Sequence, residues 1–322
     1  MTSSKPIAVL VTGAAGFIGS HTARVLLARG YAVVGVDDFN DYYPVSLKED
    51  RVRHLLNHPQ FTLHRGDISD AAFLNSVFEQ HSIERIAHLA ARAGVRYSLL
   101  HPDLYQQVNV GGTLNVLECA RRFEVEQMVF ASTSSVYGGN TKIPFVESDP
   151  VDTPISPYAA TKRAAELLCY TYHHLYKFPV TVLRFFTVYG PWGRPDMALF
   201  KFTKSILEGE PIEVFNGGDM RRDFTYIDDI VSGVVGALER PMGFETINLG
   251  NSHSEALEDF IALLEKELGQ KAQRKNLPMQ PGDVPATHAD ISKAQRLLGF
   301  SPQTKIQDGI PRFVEWYKGY YK

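Results

Sequence analysis

A tyrosine and a lysine four residues apart are the first pair in this chain whose spacing suggests chemistry. Tyr158 and Lys162 lie in the stretch SPYAATKRAAE, where Ser156 followed by Pro157 is typical of a helix start. Side chains four residues apart emerge on one face of a helix. A nearby ammonium favours the phenolate and lowers the pKa of a phenol. We therefore expect Tyr158 to act as a general base assisted by Lys162.

A run of hydroxyl side chains follows an apolar, strand-like segment upstream of this pair. The stretch ASTSSVYG, residues 131–138, contains serine or threonine at each position from 132 to 135. Ligands bind where the carboxyl ends of parallel strands meet, so we expect Thr133 to share a proton with a substrate and with Tyr158.

A glycine-rich turn near the N-terminus indicates a nucleotide site. VTGAAGFIGS places Gly13, Gly16 and Gly19 between a predicted strand and a predicted helix, where backbone N–H groups and the helix dipole attract a pyrophosphate. Asp37 ends the second predicted strand 18 residues after Gly19, where a carboxylate accepts both hydroxyls of an adenosine ribose. The carboxylate repels a 2′-phosphate and no arginine directly follows it. NAD is therefore favoured over NADP, with Asp38 expected to point the other way.

Further cofactor contacts are expected where later strands end. Asp67 in GDI either contacts the adenine or caps a turn. The glycines of NVGGTLN interrupt a helical pattern beside Asn109, at about 1 kcal/mol each, which indicates close backbone approach. The predicted cofactor-binding set is Gly13, Gly16, Phe17, Ile18, Gly19, Asp37, Asp67, Ile68, Ala90, Asn109, Tyr158 and Lys162.

The elements that position these residues alternate in type along the chain. Strand patterns occur at 7–12, 32–37, 61–65, 84–90, 127–132 and 180–186, and helical patterns begin near 16, 70, 102 and 157. This alternation predicts an α/β fold with a Rossmann-like, doubly wound parallel sheet. We expect an NAD-binding domain over 1–186 and a smaller C-terminal substrate-binding lobe mainly over 187–322, with segments near 217–250 returning to the first domain.

The amino-acid composition and charge of the chain indicate which classes of binding partner are favoured. The chain has 322 residues, is 44% hydrophobic, and carries a formal charge of −3 without a block of like charge. This balance does not favour nucleic acid or an anionic membrane as a partner. The apolar run after Lys5 is too short for a signal peptide or a spanning helix, so we expect a cytoplasmic protein. Cys119 and Cys169 fall in helical patterns and are expected as core thiols, with no metal site.

Taken together, the glycine spacing, Asp37, Thr133 and the YxxxK pair resemble the extended short-chain dehydrogenase/reductase family over essentially the whole chain. More narrowly, ARAGVRYS, STSSVYG, RFFTVYGPWGRPDMALF, RRDFTYIDDI and MQPGDVP are similar to strings of its bacterial UDP-glucuronate 4-epimerases. The resemblance implies a UDP-sugar substrate, tightly bound NAD and a homodimer. It also implies a phosphate-binding role for Arg222, a uridine-ribose role for Asp283, and uracil packing near Phe215. Arg194 is expected to close over the substrate, and Arg96 to bind its carboxylate or phosphate.

Relatives of this fold differ at the two slots occupied by Ser134 and Ser135. Sugar-nucleotide 4,6-dehydratases generally have an acidic pair there, and UDP-glucuronate decarboxylases retain a glutamate in the second slot. A glutamate about 4 Å from a substrate carboxylate would cost about 4 kcal/mol at an effective dielectric of about 20. A hydroxyl that donates to a charged acceptor instead contributes about 1.5–3 kcal/mol.

We therefore predict that Thr133, Ser134 and Ser135 form a cradle for a uronate carboxylate, unless the two serines only cap a turn. Thr187, where neutral-hexose epimerases carry asparagine, adds a fourth hydroxyl. The predicted activity is NAD-dependent 4-epimerisation of UDP-glucuronate to UDP-galacturonate through a 4-keto intermediate. The alternatives are a UDP-glucuronate decarboxylase, a neutral UDP-hexose 4-epimerase, and a non-catalytic NAD-binding sensor.

Overall fold

The structure, a computed structural model, describes residues 6–321 as twelve strands and twelve α-helices. The strands are β1 Ala8–Thr12, β2 Ala32–Asp37, β3 Phe61–Arg65, β4 Arg85–His88, β5 Gln127–Thr133, β6 Val180–Phe185, β7 Thr187–Tyr189, β8 Ile212–Phe215, β9 Arg221–Tyr226, β10 Phe244–Leu249, β11 Ser254–Ala256 and β12 Arg274–Leu277. The helices are α1 Phe17–Ala28, α2 Val45–Arg53, α3 Ala71–Gln80, α4 Val95–Leu100, α5 Pro102–Tyr105, α6 Thr113–Arg122, α7 Pro157–Tyr176, α8 Ala198–Glu208, α9 Ile227–Leu238, α10 Leu257–Leu268, α11 Ser292–Leu298 and α12 Ile306–Tyr321.

Seven of these strands form one parallel sheet in the order β10-β6-β5-β4-β1-β2-β3. The strand order reverses between β1 and β4, and in open α/β sheets ligands bind in the crevice at such a switch point. Every residue of β1, β5 and β6 is buried, as expected for a parallel sheet that helices cover on both faces. The predicted Rossmann-like fold is confirmed.

Helix α7 shows how local sequence fixes the site. The Ser156 side chain accepts a hydrogen bond from the Ala159 backbone N–H, and Pro157 occupies the first helical position. The helix ends at Tyr176, and the residue that follows, Lys177, has a positive φ of 57°. Buried residues such as Ala165 and Cys169 lie on the face of α7 that packs against the sheet. Tyr158 and Lys162 are thereby fixed in the first two turns, close to the end of β5.

The C-terminal third of the chain builds two small sheets and also extends the large one. Strands β11, β9 and β7 form a three-stranded sheet, and β12 pairs with β8. Strand β10 instead returns to the main sheet and pairs along β6, while α9 packs on α1. The elements around the cleft therefore come from distant parts of the sequence.

The helical stretch 102–122 contains a π-helical turn over Gln106–Gly112. A Cβ atom on Gly112 would lie 2.7 Å from the side chain of Ile68, whereas one on Gly111 would meet nothing within 4 Å. The predicted close approach therefore applies to Gly112 alone.

Both cysteines, Cys119 and Cys169, are buried and unpaired. Among residues 6–321, no helix is long and apolar enough to cross a membrane. In the same residues, no group of three or more histidine, cysteine, aspartate or glutamate side chains could hold a metal ion.

Candidate active site

A cleft of about 1360 Å³ runs along the carboxyl ends of the parallel strands. It brings together almost every residue that the sequence predicts for the site. The predicted residues that line it are Gly13, Gly16, Phe17, Ile18, Gly19, Asp37, Asp67, Ile68, Ala90, Arg96, Thr133, Ser134, Ser135, Tyr158, Lys162, Thr187, Arg194, Phe215, Arg222 and Asp283. Asn109 does not line the cleft.

The glycine-rich turn is packed so closely that two of its positions have no room for a side chain. Gly13 has a φ of 71°, and a Cβ there would lie 2.9 Å from the backbone of Ala90. A Cβ on Gly19 would collide with the carbonyl oxygen of Gly13. Only glycine fits at these two positions, and α1 therefore begins with its backbone N–H groups accessible from the cleft.

Asp37 ends β2, and nearby backbone N–H groups hold its carboxylate in place. Its two carboxylate oxygens accept hydrogen bonds from the backbone N–H groups of Ala15 and Phe39, each at 2.9 Å. Burial raises the pKa of Asp37, and the Phe39 hydrogen bond and the nearby Lys48 ammonium oppose that rise. The side chain of Asp38 pairs with Arg92 at 3.0 Å.

Two cations lie near this end of the cleft, and the sequence spacing did not predict their proximity to the aspartate pair. Lys48 on α2 lines the cleft and donates to the carbonyl of Asn40 at 2.7 Å, while Arg92 reaches Asp38 from the loop after β4. No arginine directly follows Asp37 in the chain, but folding places two positive charges close to the aspartate pair. The lysine at 48 and the arginine at 92 are separated from Asp37 by 11 and 55 residues, so spacing gave no signal.

Two other predicted cofactor contacts have structural partners. The Asp67 carboxylate accepts the backbone N–H of Ser69 at 2.8 Å, so it caps a turn while lining the cleft. The Asn109 side chain is buried behind the wall, where it bonds both backbone groups of Arg92 and the hydroxyl of Thr161. Asn109 is therefore placed to hold the cleft wall at Arg92.

Tyr158 and Lys162 line the cleft together. Burial raises the pKa of Tyr158, and the Thr133 hydroxyl and the Arg194 guanidinium oppose that rise. The Lys162 ammonium lies 4.3 Å from the centre of the Phe130 ring. Burial lowers the pKa of Lys162 to about 8, because an apolar environment disfavours its charge.

The hydroxyl run divides into three roles. The Ser132 hydroxyl points away from the cleft and donates to Glu166 at 2.6 Å. Thr133 caps the short turn 134–137 by accepting the backbone N–H of Ser135 at 3.1 Å, and donates to the Ser135 hydroxyl at 3.2 Å. Within residues 6–321, the hydroxyls of Ser134 and Thr187 make no hydrogen bond. Capping therefore falls to Thr133, and the hydroxyls of Ser134 and Thr187, together with the proton of the Ser135 hydroxyl, are left for a ligand.

The predicted substrate arginines are held by acidic partners. Arg194 makes two hydrogen bonds to Asp196, at 2.9 and 2.5 Å, and Asp196 also accepts the Tyr42 hydroxyl at 3.2 Å. Burial raises the pKa of Tyr42 to about 12, so the phenol stays protonated as a donor.

Arg96 does not point at the hydroxyl run as a carboxylate partner would. Its guanidinium carbon lies 4.1 Å from the centre of the Phe215 ring, and a terminal nitrogen lies 3.2 Å from Asp283. Arg222 lines the same end of the cleft, and burial lowers its pKa. Arg96 therefore occupies the positions predicted to receive a uracil and its ribose.

His88, at the end of β4, is a buried polar residue that the sequence did not single out. The Thr12 hydroxyl accepts the backbone N–H groups of Leu89 and Ala90, so its own proton goes to His88 Nδ1 at 2.7 Å. His88 Nε2 then donates to the Thr113 hydroxyl at 3.0 Å. Burial lowers the pKa of His88 to about 3, so it stays neutral and links the end of β1 to the start of α6.

Comparison with known proteins gives consistent matches. The family model described as NAD dependent epimerase/dehydratase family matches residues 9–250. A UDP-glucuronate 4-epimerase of Thermodesulfobacterium geofontis is 50% identical over 310 residues, covering 96% of this chain and 95% of that protein. The UDP-glucuronic acid 4-epimerase of Bacillus cereus, solved with UDP-glucuronic acid and NAD, is 39% identical with a TM-score of 0.92, covering 98% of this chain and 100% of its own.

A solved UDP-glucose 4-epimerase of Thermotoga maritima is also similar, at 30% identity and a TM-score of 0.90, with 98% of this chain and 100% of that one covered. The backbone fold is therefore shared by proteins named for uronate and for neutral sugars. Side chains in the cleft must account for the difference between them.

Proposed function

The chain belongs to the NAD dependent epimerase/dehydratase family, and we propose that it is a UDP-glucuronate 4-epimerase, an isomerase that interconverts UDP-glucuronate and UDP-galacturonate. The observation that carries this proposal is the set of neutral hydroxyls beside Tyr158. Ser134, Ser135 and Thr187 line the cleft where a carboxylate-bearing residue would repel an acidic sugar.

The cleft fits a nicotinamide dinucleotide. In this proposal the glycine-rich turn would hold the pyrophosphate and Asp37 the adenosine ribose, because both line the same cleft as Tyr158 and Lys162. When bound there, NAD⁺ would supply a reversible hydride acceptor for C4 of the sugar.

Tyr158 is the proposed base. It removes the proton of the C4 hydroxyl, and Thr133 stabilises the phenolate because its hydroxyl lies close enough to oppose the rise in the phenol pKa. The C4 hydroxyl becomes a ketone, and the sugar rotates about its link to the diphosphate. Tyr158 then returns its proton to the C4 oxygen on the other face. The proton never has to exchange with solvent.

The hydroxyl cradle has two tasks. Hydrogen bonds from Ser134, Ser135 and Thr187 to the uronate each contribute about 1.5–3 kcal/mol, as is typical for a charged acceptor. The 4-keto uronate is also a β-keto acid, which loses CO₂ when its carbon–carboxylate bond aligns with the carbonyl π system. Donors that hold the carboxylate out of that alignment prevent the loss.

The uridine end is proposed to use Arg222 for the diphosphate, Asp283 for the ribose and Phe215 for the base. In the structure, Arg96 covers the Phe215 ring and pairs with Asp283. A uracil that packs on the same ring face must therefore displace Arg96.

The test is to incubate purified protein with UDP-glucuronate, without added NAD, and to separate the products. We expect UDP-galacturonate. Tyr158→Phe should lower turnover by about 10³-fold, within the usual range for a general base, while NAD remains bound. Tyr170→Phe, which alters an exposed tyrosine, should leave turnover unchanged. Formation of a UDP-pentose and CO₂ would instead indicate a decarboxylase. Faster conversion of UDP-glucose than of UDP-glucuronate would indicate a neutral-sugar epimerase. Bound NAD without turnover of either sugar would indicate a sensor.

A further inference from the structure

A buried ion pair lies directly behind the predicted catalytic residues. Glu166 is 2% exposed and Arg184 is 3% exposed. The Arg184 guanidinium donates to both carboxylate oxygens of Glu166, from Nε to Oε1 at 3.0 Å and from Nη2 to Oε2 at 2.9 Å. Oε1 also accepts the Ser132 hydroxyl, and Oε2 also accepts a hydrogen bond from Arg163 at 3.1 Å.

Each member of this network is joined to a part of the proposed site. Glu166 lies on α7, eight residues after Tyr158 and four after Lys162. Ser132 directly precedes Thr133 at the end of β5. Arg184 pairs with Ser132 across β5 and β6 and lies three residues before Thr187. Glu166 and Arg184 therefore connect the helix of the base with β5, which ends at Thr133, and with β6, which precedes Thr187 in the chain.

The same arginine also reaches the turn that carries the serines. Its guanidinium carbon lies 4.9 Å from the centre of the Tyr137 ring, the last residue of the 134–137 turn. The Tyr137 hydroxyl donates to Asn248 at 2.6 Å, on β10 beside Arg184. The network therefore holds both the 134–137 turn and β5, the strand that precedes it.

Stability alone is a weak reason for such a pair. Removing two charges from water costs free energy that their attraction seldom exceeds, and apolar residues of similar volume are often equally stable. Ion pairs and hydrogen bonds differ from apolar contacts because they fix one geometry. Here they fix the position of α7 relative to the ends of β5 and β6.

We propose that Glu166 and Arg184 form a positioning pair that sets the distance between the Tyr158 phenol and the hydroxyl cradle. The inference rests on the proposed function, since it assigns these residues to the geometry of that reaction. Neither residue lines the cleft. A displacement of about 1 Å at a reacting centre can lower the rate by about 100-fold.

Misplacement of the cradle also has a chemical signature. If the hydroxyls no longer hold the carboxylate, the bond from C5 to the carboxylate carbon breaks in the 4-keto sugar and its electron pair passes into the C4 carbonyl. CO₂ leaves and the resulting enolate takes a proton at C5. A purely structural defect would lower the amount of folded enzyme without changing the ratio of the two products.

The test variant is Glu166→Gln, in which one oxygen that accepts hydrogen bonds becomes an NH₂ group facing other donors. Its matched control is Glu265→Gln, because Glu265 is also buried, accepts from Lys271 and the Ala272 N–H, and lies outside the cleft. We expect Glu166→Gln to retain NAD, to lower kcat by about 100-fold with little change in KM, and to release CO₂ with a decarboxylated UDP-sugar. Glu265→Gln should match the wild type.

Ser132→Ala keeps the ion pair and removes only its link to the strand of Thr133, so it tests the inference if Glu166→Gln does not fold. We expect a smaller fall in kcat, about tenfold, with a detectable CO₂ product. A folded Glu166→Gln or Ser132→Ala protein with wild-type kcat and product ratio overturns the inference. Absence of epimerisation by the wild-type protein would reject the proposed function instead, so the two failures are distinguishable.

Discussion

Lys162 is a cation in an apolar environment, so its protonation state depends on pH. It is 2% exposed, and it is surrounded by the Phe130 ring on β5, by Cys169 and Glu166 on its own helix, and by His88 on β4. Burial lowers its pKa from the usual 10.5 to about 8, while Cys169 and Glu166 act in the opposite direction. Protonation of Lys162 should therefore depend on pH in the range where the enzyme works.

This environment predicts a pH-dependent contribution to stability in cofactor-free protein. Between pH 8 and 10.5, the unfolded chain keeps a proton on Lys162 that the folded chain has released, so the free energy of unfolding rises with pH. Relative to Lys162→Met, the wild type should gain about 2–3 kcal/mol between pH 7.5 and pH 10, measured by urea unfolding. A difference between the two proteins that does not vary with pH would contradict the burial of this charge.

Sequence reasoning located residues whose type and spacing carry a local signal. The glycine spacing, Asp37 at a strand end, and Tyr158 four residues before Lys162 were all found in this way. Glu166, Lys48 and His88 were missed, because their roles depend on contacts between distant segments. The raised pKa of Tyr158 was also missed, since burial cannot be judged from helical spacing alone.

At the scale of elements, the turn between β1 and α1 depends on backbone packing. Gly13 and Gly19 pack so closely that neither admits a side chain. Arg51 on α2 donates to the carbonyl of Ala15 in this turn and to the carbonyls of Trp192 and Gly193. The turn is therefore braced against the loop that carries Arg194.

Gly19→Ala should disrupt this turn and release the cofactor. The added methyl group collides with the carbonyl of Gly13, and backbone atoms cannot rotate away as a flexible side chain can. We expect purified Gly19→Ala protein to contain little NAD by absorbance after extraction. Gly319→Ala is the control, since a Cβ there meets nothing within 4 Å. Full NAD occupancy in the Gly19→Ala protein would show that the turn does not bind the pyrophosphate.

Element boundaries were predictable where capping chemistry is local. Helix α7 begins at Pro157 as predicted, because Ser156 and Pro157 mark its start. The π-helical turn at Gln106–Gly112 was not predicted, since its hydrogen bonding leaves no periodic signature in so short a segment. The return of β10 to the main sheet was expected only as a broad region near 217–250, because strand order depends on long-range pairing.

At the scale of the whole molecule, two neighbouring helices, α6 and α7, expose apolar side chains on the surface. Leu167 and Tyr170 on α7 are 50% and 51% exposed, and Leu114 on α6 is 39% exposed. Helices α6 and α7 pack side by side. Ala160 on the same face of α7 is also exposed, which permits close approach of another helix. We propose that two copies of the chain associate through these helices.

Leu167→Arg should separate such a dimer, because a buried charge without a partner is costly. The wild type is expected at twice the chain mass of 36.0 kDa and the variant at 36.0 kDa in sedimentation equilibrium. Leu56→Arg changes a leucine that is 54% exposed on a different surface and should remain dimeric. A monomeric wild type, or a dimeric Leu167→Arg protein, would contradict the proposed interface.

The central claim is that neutral hydroxyls bind an acidic sugar tail, and the double variant Ser134→Ala/Thr187→Val tests it most directly. Neither hydroxyl bonds to another group in residues 6–321, so their removal should leave the fold intact. Affinities for UDP-glucuronate and UDP-glucose would be measured by calorimetry on the NAD-bound protein. The account predicts at least about a tenfold loss for UDP-glucuronate and no change for UDP-glucose. Equal losses for the two sugars, or none for either, would contradict it.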